Sequence, residues 1–101
     1  MIPHIEHQFS APLWIYQGQG AWHFITLPKQ TAKDIKALII GPRRGWGSVR
    51  VSVTIGSTTW QTSIFPYKEL ESFILPVKLA VRKAEGLAPN KKVRVTLVVL
   101  E

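Results

Sequence analysis

The chain has 101 residues and a formal net charge of +7, from 13 Lys/Arg against 6 Asp/Glu. Hydrophobic residues make up 46%, too many for a disordered chain, and no apolar run approaches the roughly 18 residues that suggest a membrane-spanning helix. Cysteine is absent, which excludes a disulfide framework and a thiol nucleophile and fits a reducing, cytoplasmic compartment. The length suits one domain, residues 1–101, with a real core. Met1 to His7 has no basic start and no long apolar stretch, so no ordinary secretory signal is expected; residues 1–7 are expected to be loosely ordered.

Phe9, Ala11, Leu13 and Ile15 alternate with Ser10, Pro12, Trp14 and Tyr16, the period of a strand. Pro12 cannot donate to a ladder and predicts an edge or a bulge. Gln17-Gly18-Gln19-Gly20 reads as a turn, and Ala21 to Leu27 as the returning strand. On it Trp22 and Phe24 share one face, His23 and Ile25 the other. Pro28 ends the strand and opens a helix. Thr31-Ala32-Lys33-Asp34 reads as an acidic variant of the capping box. Ala32, Ile35, Leu38 and Ile39 predict its buried face, and Gly41-Pro42 its stop.

Arg43-Arg44-Gly45-Trp46-Gly47 reads as a loop and Ser48 to Ile55 as the clearest strand, with Val49, Val51, Val53 and Ile55 inside and Arg50, Ser52 and Thr54 outside. Gly56 turns the chain into a fourth strand, Ser57 to Phe65, which Pro66 breaks. A charged connector, Tyr67 to Ser72, leads to a short strand, Phe73 to Leu75. A second helix is expected from Pro76, with Val77, Ala80, Val81 and Ala84 as its buried stripe and Gly86 as its left-handed stop. Val93 to Leu100 is the last strand, with Val93, Val95, Leu97 and Val99 inside.

The pattern strand, Leu-Pro, helix, loop, Val-Arg-Val occurs twice. Leu27-Pro28 and Leu75-Pro76 lie 48 residues apart, and the Val-Arg-Val runs at Val49 and Val93 lie 44 apart. Two copies are too few for a solenoid and predict an internal pseudo-two-fold. The expected class is mainly β: ββαβ twice, six strands and two short helical caps, closed into a barrel that leaves no edge exposed.

Four ordered motifs carry a resemblance over about residues 8–100: Trp22 through Pro28, Arg44 through Val51, Thr62 through Pro66, and Leu75-Pro76-Val77-Lys78 with Val81 through Ala84. They resemble a bacterial and archaeal domain-of-unknown-function family, number nineteen-oh-five. The resemblance implies a double-split β-barrel, similar in architecture to AbrB- and MazE-like regulators, and no assigned activity, so no catalytic residue is carried over. The chain departs from the pattern at Pro89-Asn90-Lys91-Lys92, where the family usually has Gly-Asp, and in Lys68-Glu69-Leu70-Glu71, which lacks the usual glycine.

The excess positive charge is lopsided. Residues 1–42 hold Lys29, Lys33 and Lys36, and the other ten basic groups follow from Arg43. Arg43, Arg44 and Trp46 combine forks for an anion with a stacking face; the ordinary alternative is a glycine-rich connector. Lys78 and Arg82, four apart, form a basic helix face, which is either solvated or part of the same anion site. Trp60 and Ser63 stand on a Ser/Thr-rich strand, and no base–acid pair makes Ser63 a nucleophile. His4-Ile5-Glu6-His7 is a weak metal-like cluster, and His23 reads as a strand histidine.

The expected function is a non-enzymatic binding module for a small anionic or aromatic ligand, through Arg43, Arg44, Trp46, Trp60, Ser63, Lys78 and Arg82. The alternative is nucleic-acid binding through Arg43, Arg44, Arg50, Lys91, Lys92 and Arg94; an enzyme ranks third. No catalytic residue, metal or cofactor is expected, and no membrane partner; the chain is expected to be a monomer or a homodimer.

Overall fold

A computed structural model of the chain describes residues 5–18, 21–39 and 47–100. The elements are β1 (Glu6–Ile15), β2 (His23–Thr26), α1 (Lys29–Leu38), β3 (Val49–Ile55), β4 (Thr58–Tyr67), a 3-10 turn (Lys68–Leu70), β5 (Ser72–Pro76), α2 (Leu79–Glu85) and β6 (Lys92–Val99). The six strands close into an antiparallel barrel in the order β1-β2-β5-β4-β3-β6. No helix among the described residues is long and apolar enough to cross a membrane.

The repeat is visible in the register. Thr26 pairs with Ile74, its counterpart 48 residues on, and Val53 pairs with Leu97, its counterpart 44 on. Equivalent residues face each other only on a two-fold axis, so the pseudo-axis threads the β2–β5 ribbon and the β3–β6 ribbon.

Two long strands each change partner. In β1, Glu6 to Pro12 pair with β6 and Leu13 to Ile15 pair with β2. In β4, Thr58 to Ile64 pair with β3 and Phe65 to Tyr67 pair with β5. Pro12 is therefore at neither an edge nor a bulge. It closes the β1–β6 ladder, where the chain crosses to its next partner and a missing N–H matters least. Pro66 does not break β4: the ladder continues on both sides of it, Phe65 to Ile74 and Tyr67 to Ser72, because proline is compatible with extended backbone and removes one donor only.

Alternation puts Phe9, Ala11, Leu13, Ile25, Leu27, Val49, Val51, Val53, Ile55, Ile64, Phe73, Leu75, Val93, Val95 and Leu97 inside, all buried. Val99 is half-buried against this core, and Ile15, at the end of β1, is exposed. Glu6 and His7, expected in a loose terminus, lie in β1, with His7 buried.

Gly56 carries the β3–β4 hairpin. Ile55 pairs with Thr58 across a two-residue loop in which Gly56 has φ +59, while Ser57 is not among the positive-φ residues, the signature of a type II′ turn.

Pro28 stands just before α1 as its N-cap, with no side-chain cap bond. The Thr31–Asp34 box is thus not used: the N-cap, Pro28, stands three residues before Thr31, and Asp34 accepts from Gln30 Nε2 at 2.9 Å. Ala32 and Ile35 are buried, but Leu38 is exposed because it falls in the last turn. The Gly41-Pro42 stop lies outside the described residues, as does the Gln19-Gly20 half of the β1–β2 turn.

The second helix starts at Leu79, not at Pro76. Val77 stays extended because its N–H bonds the His23 carbonyl at 2.9 Å and prolongs the β2–β5 ladder. Counting the apolar stripe from Val77 therefore puts it out of phase: Val81 alone is buried in α2, and Ala80 and Ala84 face water. Gly86, with φ 62, ends the helix in the left-handed region as expected.

Candidate functional site

The change of partner in β4 creates the site. Thr58 to Ile64 have β3 on one side only, since β5 joins β4 from Phe65 onward. Alpha-helix α2 packs against β4 beside this open stretch. A cleft of about 430 Å³ lies here, with Trp60, Gln61 and Thr62 from β4, Ala21, Trp22 and His23 from the start of β2, and Pro76, Val77, Lys78 and Arg82 from the β5–α2 passage.

Strand parity decides what faces it. Ile64 is buried, so Trp60 and Thr62, at even spacing from it, stand on the inner face. Trp60 is half-buried against the core. Trp22 is 59% exposed and stacks on Phe24, ring centroids 6.2 Å apart and planes 8° from parallel. Phe24 in turn touches Trp14, and Trp14 Nε1 donates to Thr26 Oγ1 at 2.8 Å. The Trp22 indole thus has a braced back and an open front.

His23 and Arg82 are joined although 59 residues separate them. His23 Nδ1 lies 2.7 Å from the Ala21 carbonyl, an acceptor, so Nδ1 carries the ring proton. Nε2 is then bare and accepts from Arg82 Nη1 at 3.3 Å. Arg82 Nε donates to the Val77 carbonyl at 3.1 Å. Two bonds fix the guanidinium at the cleft wall, and neither neutralises it. Neither Lys78 nor Arg82 has an ion-pair partner among the described residues; the ion pair found there is Lys29–Glu71, at 3.6 Å. No carboxylate lines the cleft among the described residues.

The carboxylate nearest in sequence, Glu85 of α2, is engaged elsewhere. It accepts from Thr58 Oγ1 at 2.6 Å and Ser57 Oγ at 3.3 Å. These bonds latch the end of α2 to the β3–β4 hairpin and hold the helix over β4.

Of the residues singled out from the sequence, Trp60, Lys78 and Arg82 meet in this cleft. Ser63 does not line it. Its parity is opposite to that of Trp60, and its Oγ accepts from Arg50 Nη1 at 3.4 Å on the outer face. Arg43, Arg44 and Trp46 lie outside the described residues. Trp22, one of the aromatic side chains the sequence offers as a stacking platform, also lines it, while His23, Gln61 and Thr62 are not singled out by the sequence as ligand contacts.

The basic residues of the alternative interface are spread out. Arg50 and Arg94 share the outer face of the β3–β6 ribbon but stand at opposite ends; six residues along the ribbon separate their levels, roughly 20 Å. Arg94 Nη2 donates to Gln8 Oε1 at 2.8 Å. Lys91 and Lys92 are exposed at the start of β6. In the metal-like cluster, His4 lies outside the described residues, while Glu6 and His7 point to opposite faces of β1. No group of three or more metal-ligating side chains gathers among the described residues.

Residues 9–97 match the family described as Domain of unknown function (DUF1905). The chain belongs to that family. In this DUF1905 domain the match runs from within β1 to within β6 and so spans both copies of the repeat and every residue lining the cleft. No match to a curated protein was found.

Proposed function

We propose that this DUF1905 protein is a non-enzymatic binding module that takes a small anionic or aromatic ligand into the cleft beside α2. The observation that carries this reading is the meeting of two tryptophans, Trp22 and Trp60, with two cations, Lys78 and Arg82, in a hollow that no described carboxylate lines. Two uncompensated positive charges favour an anion, and the indoles favour a flat apolar group. The volume lies within the range of small-molecule sites, roughly 300–1,000 Å³. His23, itself held through Nδ1 by the Ala21 carbonyl, orients Arg82 through Nε2, a role suited to holding a ligand. The absence of cysteine in the sequence supports a cytoplasmic setting. Nucleic-acid binding has less behind it, because Arg50 and Arg94 lie far apart and each contacts a polar neighbour across its own strand pair.

The test is a thermal-shift screen of phosphorylated, acidic and aromatic small molecules against the wild type and Arg82→Ala. A ligand at 100 times its Kd stabilises the fold by roughly 2.7 kcal/mol, a shift of several degrees in Tm for a domain of this size. Hits are expected with the wild type and are expected to vanish with Arg82→Ala. A hit that shifts both proteins equally places the ligand elsewhere and overturns the reading.

A further inference from the structure

Resting on that reading of the cleft, we infer that ring and anion belong to one molecule, a ribonucleoside monophosphate or a close heteroaromatic phosphomonoester. Four observations point the same way. First, the two cations come from one side, the β5–α2 passage, and the two indoles from β2 and β4. A ligand that satisfies both must be bipartite. Second, a phosphomonoester carries a charge of about −1.5 to −2 at neutral pH, which matches two cations, whereas a carboxylate leaves one unmatched.

Third, Arg82 is not fully engaged. A guanidinium has five N–H donors, and the bonds to the Val77 carbonyl and His23 Nε2 use two of them. The remaining donors suit the several acceptor oxygens of a phosphate, and Lys78 adds a mobile point charge beside them. Fourth, Thr62 stands on the same inner face as Trp60 and lines the cleft beside it, bringing a hydroxyl next to the indole. A plain phenyl ring offers this hydroxyl no partner, while a base edge offers it donors and acceptors. The volume of about 430 Å³ sits low in the range of small-molecule sites, enough for one base, one sugar and one phosphate and short of a second base.

The test compares five probes by isothermal titration and tryptophan fluorescence: adenosine and uridine monophosphates, adenosine, inorganic phosphate and phenyl phosphate. It uses the wild type, Arg82→Ala and Trp22→Ala. Trp22 is 59% exposed, so its removal leaves the core intact. At least one nucleoside monophosphate is expected to bind, with adenosine and inorganic phosphate each roughly ten- to a hundredfold weaker. Trp22→Ala is expected to weaken the nucleotide roughly tenfold and leave inorganic phosphate unchanged. Inorganic phosphate binding as tightly as the nucleotide, or a nucleotide indifferent to Trp22→Ala, overturns this inference and leaves an anion-binding cleft standing. The same holds if the monophosphates fail while another small anion or aromatic compound binds in an Arg82-dependent way. If no compound of any class binds, both readings fall together.

Discussion

The pseudo-two-fold makes one molecule its own control. Glu71 stands 48 residues beyond His23 and occupies the equivalent place, just before β5 where His23 starts β2. Each reaches the helix of the other copy. Glu71 meets Lys29 of α1 at 3.6 Å, and His23 meets Arg82 of α2 at 3.3 Å. One junction joins an acid to a base and cancels its charge. The other joins an imidazole to a guanidinium and brings no negative charge to it. The helices differ in parallel. Helix α1 has ten residues, buries Ala32 and Ile35, and sets Lys36 over the Phe73 ring at 5.9 Å. Helix α2 has seven residues and buries Val81 alone. The same topology thus builds one junction with a carboxylate, beside a smaller hollow of about 240 Å³ that Glu71 lines, and one with a larger hollow that no described carboxylate lines. Withholding one carboxylate and a few apolar contacts leaves the second junction cationic, with no change of fold.

The largest effect expected from this contrast is in the core beneath the helices. Ile35 is fully buried, and its truncation to alanine should cost roughly 2–5 kcal/mol. Val81→Ala removes less buried hydrocarbon and should cost about 1–3 kcal/mol. Urea melts of both variants check the ranking. Equal losses, or a larger loss at Val81, would mean that α2 is sealed as firmly as α1.

A second comparison separates backbone strain from helix anchoring. Gly56 and Gly86 have nearly the same φ, +59 and +62. At Gly86, in the left-handed helical region, the conformation costs an alanine roughly 1–2 kcal/mol, and the first central position of the type II′ turn at Gly56 costs it at least as much. At Gly86 a Cβ would meet nothing within 4 Å, so Gly86→Ala should show that cost alone. At Gly56 the Cβ would run into the Glu85 carboxylate, which would have to leave the Ser57 and Thr58 hydroxyls. Each lost bond adds about 1 kcal/mol. Gly56→Ala should therefore be the more destabilising by roughly 1–2 kcal/mol, a difference that the double change Gly56→Ala/Glu85→Ala should shrink. If the two single glycine variants melt alike, the latch contributes nothing to α2.

Much of the barrel was legible in the sequence because its strands are one-sided. The alternation in Val49 to Ile55 and Val93 to Leu97 needs no tertiary information, and the repeat predicts which strands are equivalent. Helix α2 was misplaced because Val77 obeys a distant partner, the His23 carbonyl, over local helical spacing. Pro66 misled because proline marks a break in a single strand but not in one that is changing neighbours. In the site, Lys78 and Arg82 could be seen as one basic face, and Trp60 as an aromatic out of place among serine and threonine. Ser63 could have been set apart from Trp60 by parity alone, since residues three apart on a strand face opposite ways. His23 was not legible, because its partner lies 59 residues away and only the fold unites them. The signal that existed was the repeat itself, which sets a histidine where the other copy has an acid.

The smallest effect tests the acid-bearing junction by titration. Tyr67 ends β4, and its phenol is held above the ordinary value of about 10, first by partial burial and then by the Glu69 carboxylate, with Tyr16 and a 3.5 Å hydrogen bond from Tyr67 to Glu69 adding to it. The folded state therefore favours the neutral phenol. The stability this contributes is complete below pH ~10 and is lost as the pH rises through the raised folded value. In a Tyr16→Phe background Tyr67 is the one remaining tyrosine, so phenolate absorbance reads it directly. Glu69→Gln removes a negative charge and replaces a carboxylate acceptor with an amide, so the phenol should titrate at lower pH. It should still titrate above the ordinary value, because burial is the leading cause and is unchanged. A wild-type phenol that ionises at or below the ordinary value would remove the sign of the effect. A Glu69→Gln variant that titrates like its parent would leave burial alone to account for it and would exclude charge as a contributor at this corner of the barrel.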